Sequence, residues 1–530
     1  MMRRSFSLLK WKQVTSSPRL NPFQKHNNRF LFSFGPGRNN SSGNQDSRII
    51  SFQGNAFFLS SNQQHSHFSS PVPSFSNWNE VQGTNRVDVE IISKQKIKPA
   101  FPTPLEWKTY KISILDQLNP NIYSPMIYFF PNNHQNSHLN INDLTSQKRH
   151  LLKQSLSETL TSFYPLAGKI QGNSHIECND DGLYYVEAKV STHLSNFLKI
   201  SDNKKINNLL PFHPNSIELL FNTSVAMVQV NIFDCGGIAI GLYTSQKIID
   251  TQSQITFLKA WAAQASRSSQ VEIRPSYISP HLFLQNPALP EIASFTMRPI
   301  LSELGKGRVT KRFLFNASSL ILLKEKANHE SCSDVMIVTG LIWKCFMDAS
   351  EEKSGLKRPS ILSLDVDLRA RNSPPLSPYA IGNVSWGAIA RCGMENNERE
   401  LHSVVCKLGN AVDEINGDFV EGIKGEEGFI RLCEILNEFR ELNSNKKVEY
   451  MGVTSLCNGG IYEVDFGWGK PSWACVGSAN LGVHGLMNRV FLMDTRSGDG
   501  IEAWVTLSEK HMAILERAYE LLRFGSLLAN

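Results

Sequence analysis

From Val87 onward the sequence alternates short apolar runs with longer stretches of helical periodicity, on both sides of a proline-rich stretch. That alternation is the strongest limit on its fold. Val87–Ile97 alternates like a half-buried strand, and Ile238–Tyr243 (IAIGLY) is a continuous apolar run suited to a buried one. Further strands are expected at Pro125–Phe130, Leu183–Ala188, Val225–Phe233 and Leu362–Arg369, and Lys111–Leu118 reads as strand and turn. Helical spacing marks Lys148–Tyr164, Thr251–Ser266, Ser333–Ala349, Glu400–Asn416, Gly428–Asn443 and Glu509–Phe524. Thr251 and Gln254 read as a capping box. Prolines at 275, 280, 287, 290 and 299 make Ile273–Pro299 the natural crossover. Both halves mix strands and helices, so the fold class is α/β with two lobes. The expected boundaries are 87–272, a crossover over 273–310, and 311–530.

Composition removes several classes. A chain of 530 residues that is 41% hydrophobic can build more than one core. No run of 18 apolar residues occurs, so no membrane helix is expected. The net charge of +6 is modest at this length and forms no basic stripe with interleaved aromatics, so no nucleic-acid partner is expected. Nine cysteines are scattered singly, without CxxC or a recognisable Cys/His ligand spacing. That pattern reads as reduced, intracellular and free of a metal. Nor do GxGxxG or GxxxxGK[ST] signatures occur.

Residues 1–86 differ from the rest. No acidic residue precedes Asp46, while Arg3, Arg4, Lys10, Lys12, Arg19, Lys25, Arg29 and Arg38 are basic. This composition suits either an organellar transit segment or an unstructured tail. The expected location is the cytosol or, through this extension, a mitochondrion or plastid.

Four segments in order carry a resemblance. They are Tyr164–Gly168 (YPLAG), Arg369–Asn383 (RARNSPPLSPYAIGN), Asp465–Pro471 (DFGWGKP) and Gly500–Val505 (GIEAWV). Together they resemble the BAHD family of plant acyl-CoA-dependent acyltransferases over residues 87–530. The resemblance implies two chloramphenicol-acetyltransferase-like lobes around a solvent channel. It implies acyl-CoA, with acetyl-CoA expected, as co-substrate and a small-molecule alcohol or amine as acceptor. The overall pattern is similar to the branch that acetylates alkaloid and terpenoid alcohols. It also implies a monomer. In that family an HxxxD motif supplies a histidine base and a structural aspartate that pairs with an arginine. Asp465, Phe466, Gly467, Trp468 and Gly469 are implied to brace a loop on the CoA side, with Trp468 packed beside the channel.

Two positions depart from the family pattern. The motif falls on Gln246–Asp250 (QKIID), so Gln246 stands where the histidine is expected. A carboxamide orients by hydrogen bonds but has no usable basic site near neutral pH. Losing a positioned base typically costs ~10²–10⁴ in rate. Upstream, Thr454 lies eleven residues before Asp465, as the family's pocket threonine does, but the nearby tryptophan has become Leu456. Leucine cannot donate to a developing oxyanion, and one such donor is worth about 10²–10³ elsewhere.

Asp250 is expected to pair with Arg369 or Arg371, or to cap the following helix. Lys247 is the neighbouring cation that would act as a base if desolvated. His213, His281, His402, His484 and His511 have no motif context near Gln246. Three readings follow: an acyltransferase with altered chemistry, a silent binding homologue, or a changed reaction that needs no strong base.

Overall fold

The structure is a computed structural model that describes residues 88–132, 140–199, 203–211, 224–267, 272–287, 289, 307–444, 448–477 and 487–528, without side chains at 439–444. The N-terminal extension to residue 87 and residues 288 and 290–306 of the expected crossover lie outside these residues, as do His213 and His484.

Three sheets organise the described chain. The first has six strands in the order β1 (Val89–Ile97), β6 (Leu183–Val190), β7 (Ala226–Phe233), β8 (Ile238–Ser245), β3 (Tyr123–Phe130) and β13 (Trp473–Val476). The second has seven: β11 (Ser385–Cys392), β10 (Ser360–Asp367), β12 (Glu449–Ser455), β14 (Arg489–Asp494), β15 (Ile501–Ser508), β9 (Arg308–Phe315) and β16 (Ser526–Leu528). A small third sheet joins β2 (Thr109–Lys111), β5 (His175–Glu177) and β4 (Lys169–Gln171). Pairing is antiparallel except for β6 with β7, β10 with β12, and β12 with β14.

The expected lobe boundaries need correction at β13. Trp473–Val476 lies beyond the crossover, yet it pairs antiparallel with β3 of the first sheet. Its approach brings Ile461, Val464, Phe466 and Trp468 into the core beneath that sheet. Conversely, Ile114 and Leu115 of the first half pack into the second core. Lobes and sequence halves therefore do not coincide.

Local chemistry explains the other departures. Lys111–Leu118 is not mainly strand: Ile114–Leu118 is a short helix, capped at Ser113 by a reciprocal box with Asp116. The S-x-x-D spacing carries that signal in the sequence. The last expected helix is two, Glu509–Leu515 and Tyr519–Phe524. Met512 with Leu515 and Leu521 with Phe524 are all buried. Leu515 and Leu521, six apart, would sit on different faces of one continuous helix, so the break re-phases the apolar stripe.

Strand β8 is buried along its whole length, the apolar run Ile238–Tyr243 together with the polar Thr244 and Ser245 at its end. A Cβ at Gly241 would lie 2.1 Å from the Leu209 carbonyl oxygen, so only glycine allows that close approach. Helix Thr251–Ser266 follows the strand after a tight turn and buries Ile255, Leu258 and Trp261. Its Trp261 indole donates to the Leu152 carbonyl at 3.1 Å, which fixes it on helix Ile141–Ser162.

His511, at the start of Glu509–Leu515, sits against Phe346 and contacts the Ser508 hydroxyl at 2.8 Å. Burial, aided by nearby Lys353, lowers its imidazole to about 4. The unfolded state, with a histidine near ~6.5, therefore binds the extra proton first. The stabilisation is complete above that value and is lost as pH falls towards 4, by up to about 3 kcal/mol. Denaturant midpoints measured between pH 7 and 4 should show the loss, and His511→Asn should flatten it.

Candidate active site

A cavity of about 510 Å³ opens where the two sheets meet. One wall comes from Leu118–Pro120 and the turn after β8; the other comes from β10, β11, β12 and β14. Gln246, Asp250 and Thr454 all line it. Three residues that the family resemblance assigned to one pocket thus share one cavity.

The Gln246 turn is held by its backbone. The Gln246 amide donates to the Ile122 carbonyl at 2.8 Å, and its carbonyl accepts from Asn383 Nδ2 at 2.9 Å. Asn383 is itself held by Asp116, whose Oδ1 accepts from the Asn383 amide and side chain at 2.7 and 2.9 Å. Asp116 also accepts from the Ser113 amide and hydroxyl. Burial raises the Asp116 carboxyl, and these four donors offset the rise only in part. Sequence reading missed Asp116; its capping spacing was visible, but not its reach to Asn383 across 267 residues. The Gln246 carboxamide is half-buried and makes no hydrogen bond with a described residue.

Asp250 performs both expected tasks, and its arginine is Arg369. Its Oδ1 accepts from the Ser253 amide at 2.8 Å, which caps the helix. The cap is therefore Asp250, not the expected Thr251–Gln254 box; Gln254 instead donates to the Thr244 hydroxyl. Both Asp250 oxygens also accept from Arg369, at 2.9 and 3.0 Å. Burial alone would lower the Arg369 guanidinium, but Asp250 and then Asp367 outweigh it and keep it charged. Arg369 further donates to the Ala380 carbonyl, closing the 369–383 segment over the helix start. Arg371 points elsewhere: it binds the Val412 and Ile415 carbonyls at the end of another helix.

Lys247 is buried and, unlike Gln246, does not line the cavity. Its Nζ donates to the Gln117 and Asn119 carbonyls at 3.2 and 2.6 Å. Thr454 is joined by two residues sequence reading did not single out. Its hydroxyl donates to Asp365 Oδ2 at 2.5 Å and accepts from Arg489, which pairs with Asp365 at 2.9 Å. Asp365 and Arg489 sit on β10 and β14, two strands apart in the sheet. Only the sheet order brings them together; no local spacing announces it. Leu456 also lines the cavity and is almost fully buried.

The DFGWG segment does not line the cavity. The Asp465 carboxylate accepts from the amides of Gly467 and Gly469 at 2.8 and 2.9 Å. Both glycines have φ near the left-handed region, at 99° and 110°, where a side chain would be strained. Phe466 packs edge-on against Phe130 and Trp261. Trp468 stacks on Phe466, with Lys148 over its ring, so it belongs to the first core and not to the cavity wall. A Cβ at Gly467 would meet Ser266. The loop thus braces the far end of the helix that Asp250 caps.

Comparisons with known proteins agree with the fold. A family model described as Transferase family matches residues 87–522. Limonoid 7-O-acetyltransferase of Citrus sinensis is 38% identical over 461 residues, covering 83% of this chain and 99% of that protein. Vinorine synthase of Rauvolfia serpentina is 34% identical over 435 residues, covering 81% and 96%. The crystal structure of vinorine synthase superposes with a TM-score of 0.70 at 32% identity, over 84% of this chain and 99% of that one.

Proposed function

The chain belongs to the BAHD branch of the transferase family, and on that premise we propose that it transfers an acetyl group from acetyl-CoA to a hydroxyl of a polycyclic specialised metabolite of limonoid or alkaloid type. The carrying observation is the shared cavity of Gln246 and Thr454, built on an intact Asp250–Arg369 scaffold. The acceptor hydroxyl donates to the Gln246 carboxamide oxygen, which orients its lone pair towards the thioester carbonyl. The new C–O bond forms as the C–S bond breaks. CoA leaves as a thiolate and takes the acceptor's proton, directly or through water, to become the free thiol. Orientation replaces proton abstraction, so turnover is expected to be slow compared with a histidine-bearing relative.

A second reading is a binding protein without turnover. It is favoured by the charge pairing of the cavity wall. Asp250 and Asp367 are held by Arg369, and Asp365 by Arg489. Among the described residues, no histidine lines the cavity. Thiol release from acetyl-CoA, measured with purified protein and a panel of limonoid and alkaloid alcohols, separates the two. Acceptor-dependent thiol release supports transfer. Acetyl-CoA binding without release, for every acceptor that binds, supports the silent reading.

A further inference from the structure

Outside the cavity, two imidazoles and a thiol converge on one point. His402 and Cys406 are four residues apart on helix Leu401–Glu414 and so share a face. His329 follows Asn328, whose positive φ of 51° turns the chain off the end of helix Ala317–Lys326. Its ring stacks on that of His402, with centroids 4.6 Å apart. The Nε2 atoms of His329 and His402 lie 3.1 and 3.7 Å from the Cys406 sulfur. All the ligand atoms of this trio fall within 4.8 Å of one another.

The proton arrangement points to a cation. His402 Nδ1 contacts the Ala327 carbonyl at 2.9 Å, and a carbonyl only accepts, so Nδ1 carries the hydrogen. In the neutral ring, the form that binds a metal, His402 Nε2 is then the lone-pair nitrogen facing the sulfur. Metal-bound histidines are oriented in this way, with the second ring nitrogen donating to a backbone carbonyl or carboxylate. The spacing also fits. Zinc–nitrogen and zinc–sulfur bonds of about 2.0–2.3 Å at tetrahedral angles place the two ligand atoms ~3.6 Å apart. The observed separations of 3.1 and 3.7 Å bracket that value.

We propose that His329, His402 and Cys406 form a site for a zinc-class divalent cation, bound by two nitrogens and one thiolate with water in the fourth position. On binding, the Cys406 thiol gives its proton to solvent as the sulfur–metal bond forms. His402 is exposed and the other two are half-buried, so the ion reaches the trio from solvent. The site would clip the turn after Ala317–Lys326 to helix Leu401–Glu414. The expectation of no Cys/His ligand spacing overlooked the H-x₃-C pair on this helix, and His329 joins it only through the fold.

The test uses the full chain, stripped with chelator, reduced and desalted. Zinc added and then removed by gel filtration should leave about one equivalent per chain. Cobalt should give the thiolate-to-metal charge-transfer band of a sulfur ligand, with visible bands of tetrahedral intensity. Cys406→Ser should abolish the charge-transfer band and weaken zinc binding at least tenfold. His402→Gln should weaken binding at least tenfold but keep the sulfur band at saturating cobalt. Cys332→Ser, which leaves the trio intact, should bind as wild type does. Circular dichroism checks that each variant is folded. Zinc retained equally by folded Cys406→Ser, or no zinc retained by the wild type, would overturn the assignment. So would loss of the sulfur band in Cys332→Ser rather than Cys406→Ser.

Discussion

Replacing Gln246 with histidine is expected to raise the rate of acetyl transfer by two to four orders of magnitude, about what a positioned general base contributes. The turn needs no rebuilding to receive the ring. Its position is set by the backbone bonds to Ile122 and Asn383 and by the Asp250 cap, none of which uses the Gln246 side chain. The carboxamide makes no described hydrogen bond that the substitution would break. The variant should also acquire a pH dependence. A base works only as the neutral imidazole, so activity should rise with pH through a value near ~6.5, a limb the wild type lacks. Thiol release across pH 5.5–8, with acceptor held constant, measures both. A gain below tenfold, or no new limb, would show that the missing histidine is not what limits this cavity.

The second large effect concerns stability. Asp250→Ala should cost about 3–5 kcal/mol, because it leaves the buried Arg369 guanidinium with only the half-exposed Asp367 as a counter-charge. The helix cap is lost with it, typically ~1 kcal/mol. The double variant Asp250→Ala/Arg369→Met should recover part of that loss, since no charge is left uncompensated. Denaturant midpoints of the wild type, both single variants and the double variant form the cycle. If the double variant loses as much as the single losses summed, the two groups are not coupled and the buried pair is not what holds the 369–383 segment down.

What sequence reading captured was mostly local. Ile238–Tyr243, the turn behind it and the Thr251–Ser266 helix are consecutive in the chain, and periodicity was enough to place them. Asp250 was identified with its two roles, because a cap depends on neighbours and the arginine partner on a motif. The choice of Arg369 over Arg371 was not legible. Only Ala370 separates them, and only the path of the chain after β10 decides which one turns inward. Asp365 and Arg489 escaped for the same reason, being neighbours across β10, β12 and β14 rather than along the chain. The helix break at residues 516–518 was readable in principle, because the apolar phase shifts there; no glycine or proline marks it.

The placement of β13 has a cost in time. Phe129 in β3 bonds to Ser472, next to β13, across 343 residues of chain. At a synthesis rate of ~5–20 residues per second, the edge of β3 waits roughly 20–70 s on the ribosome for its neighbour. That edge reads YSPMIYFF and is almost wholly apolar. For the duration it is an open template for any other strand, including the same segment of a second nascent chain. The chain's yield in a cell should therefore depend on holdase capacity during translation more than on final stability. Slowing elongation after residue 250 would lengthen the exposure, and speeding it would shorten it.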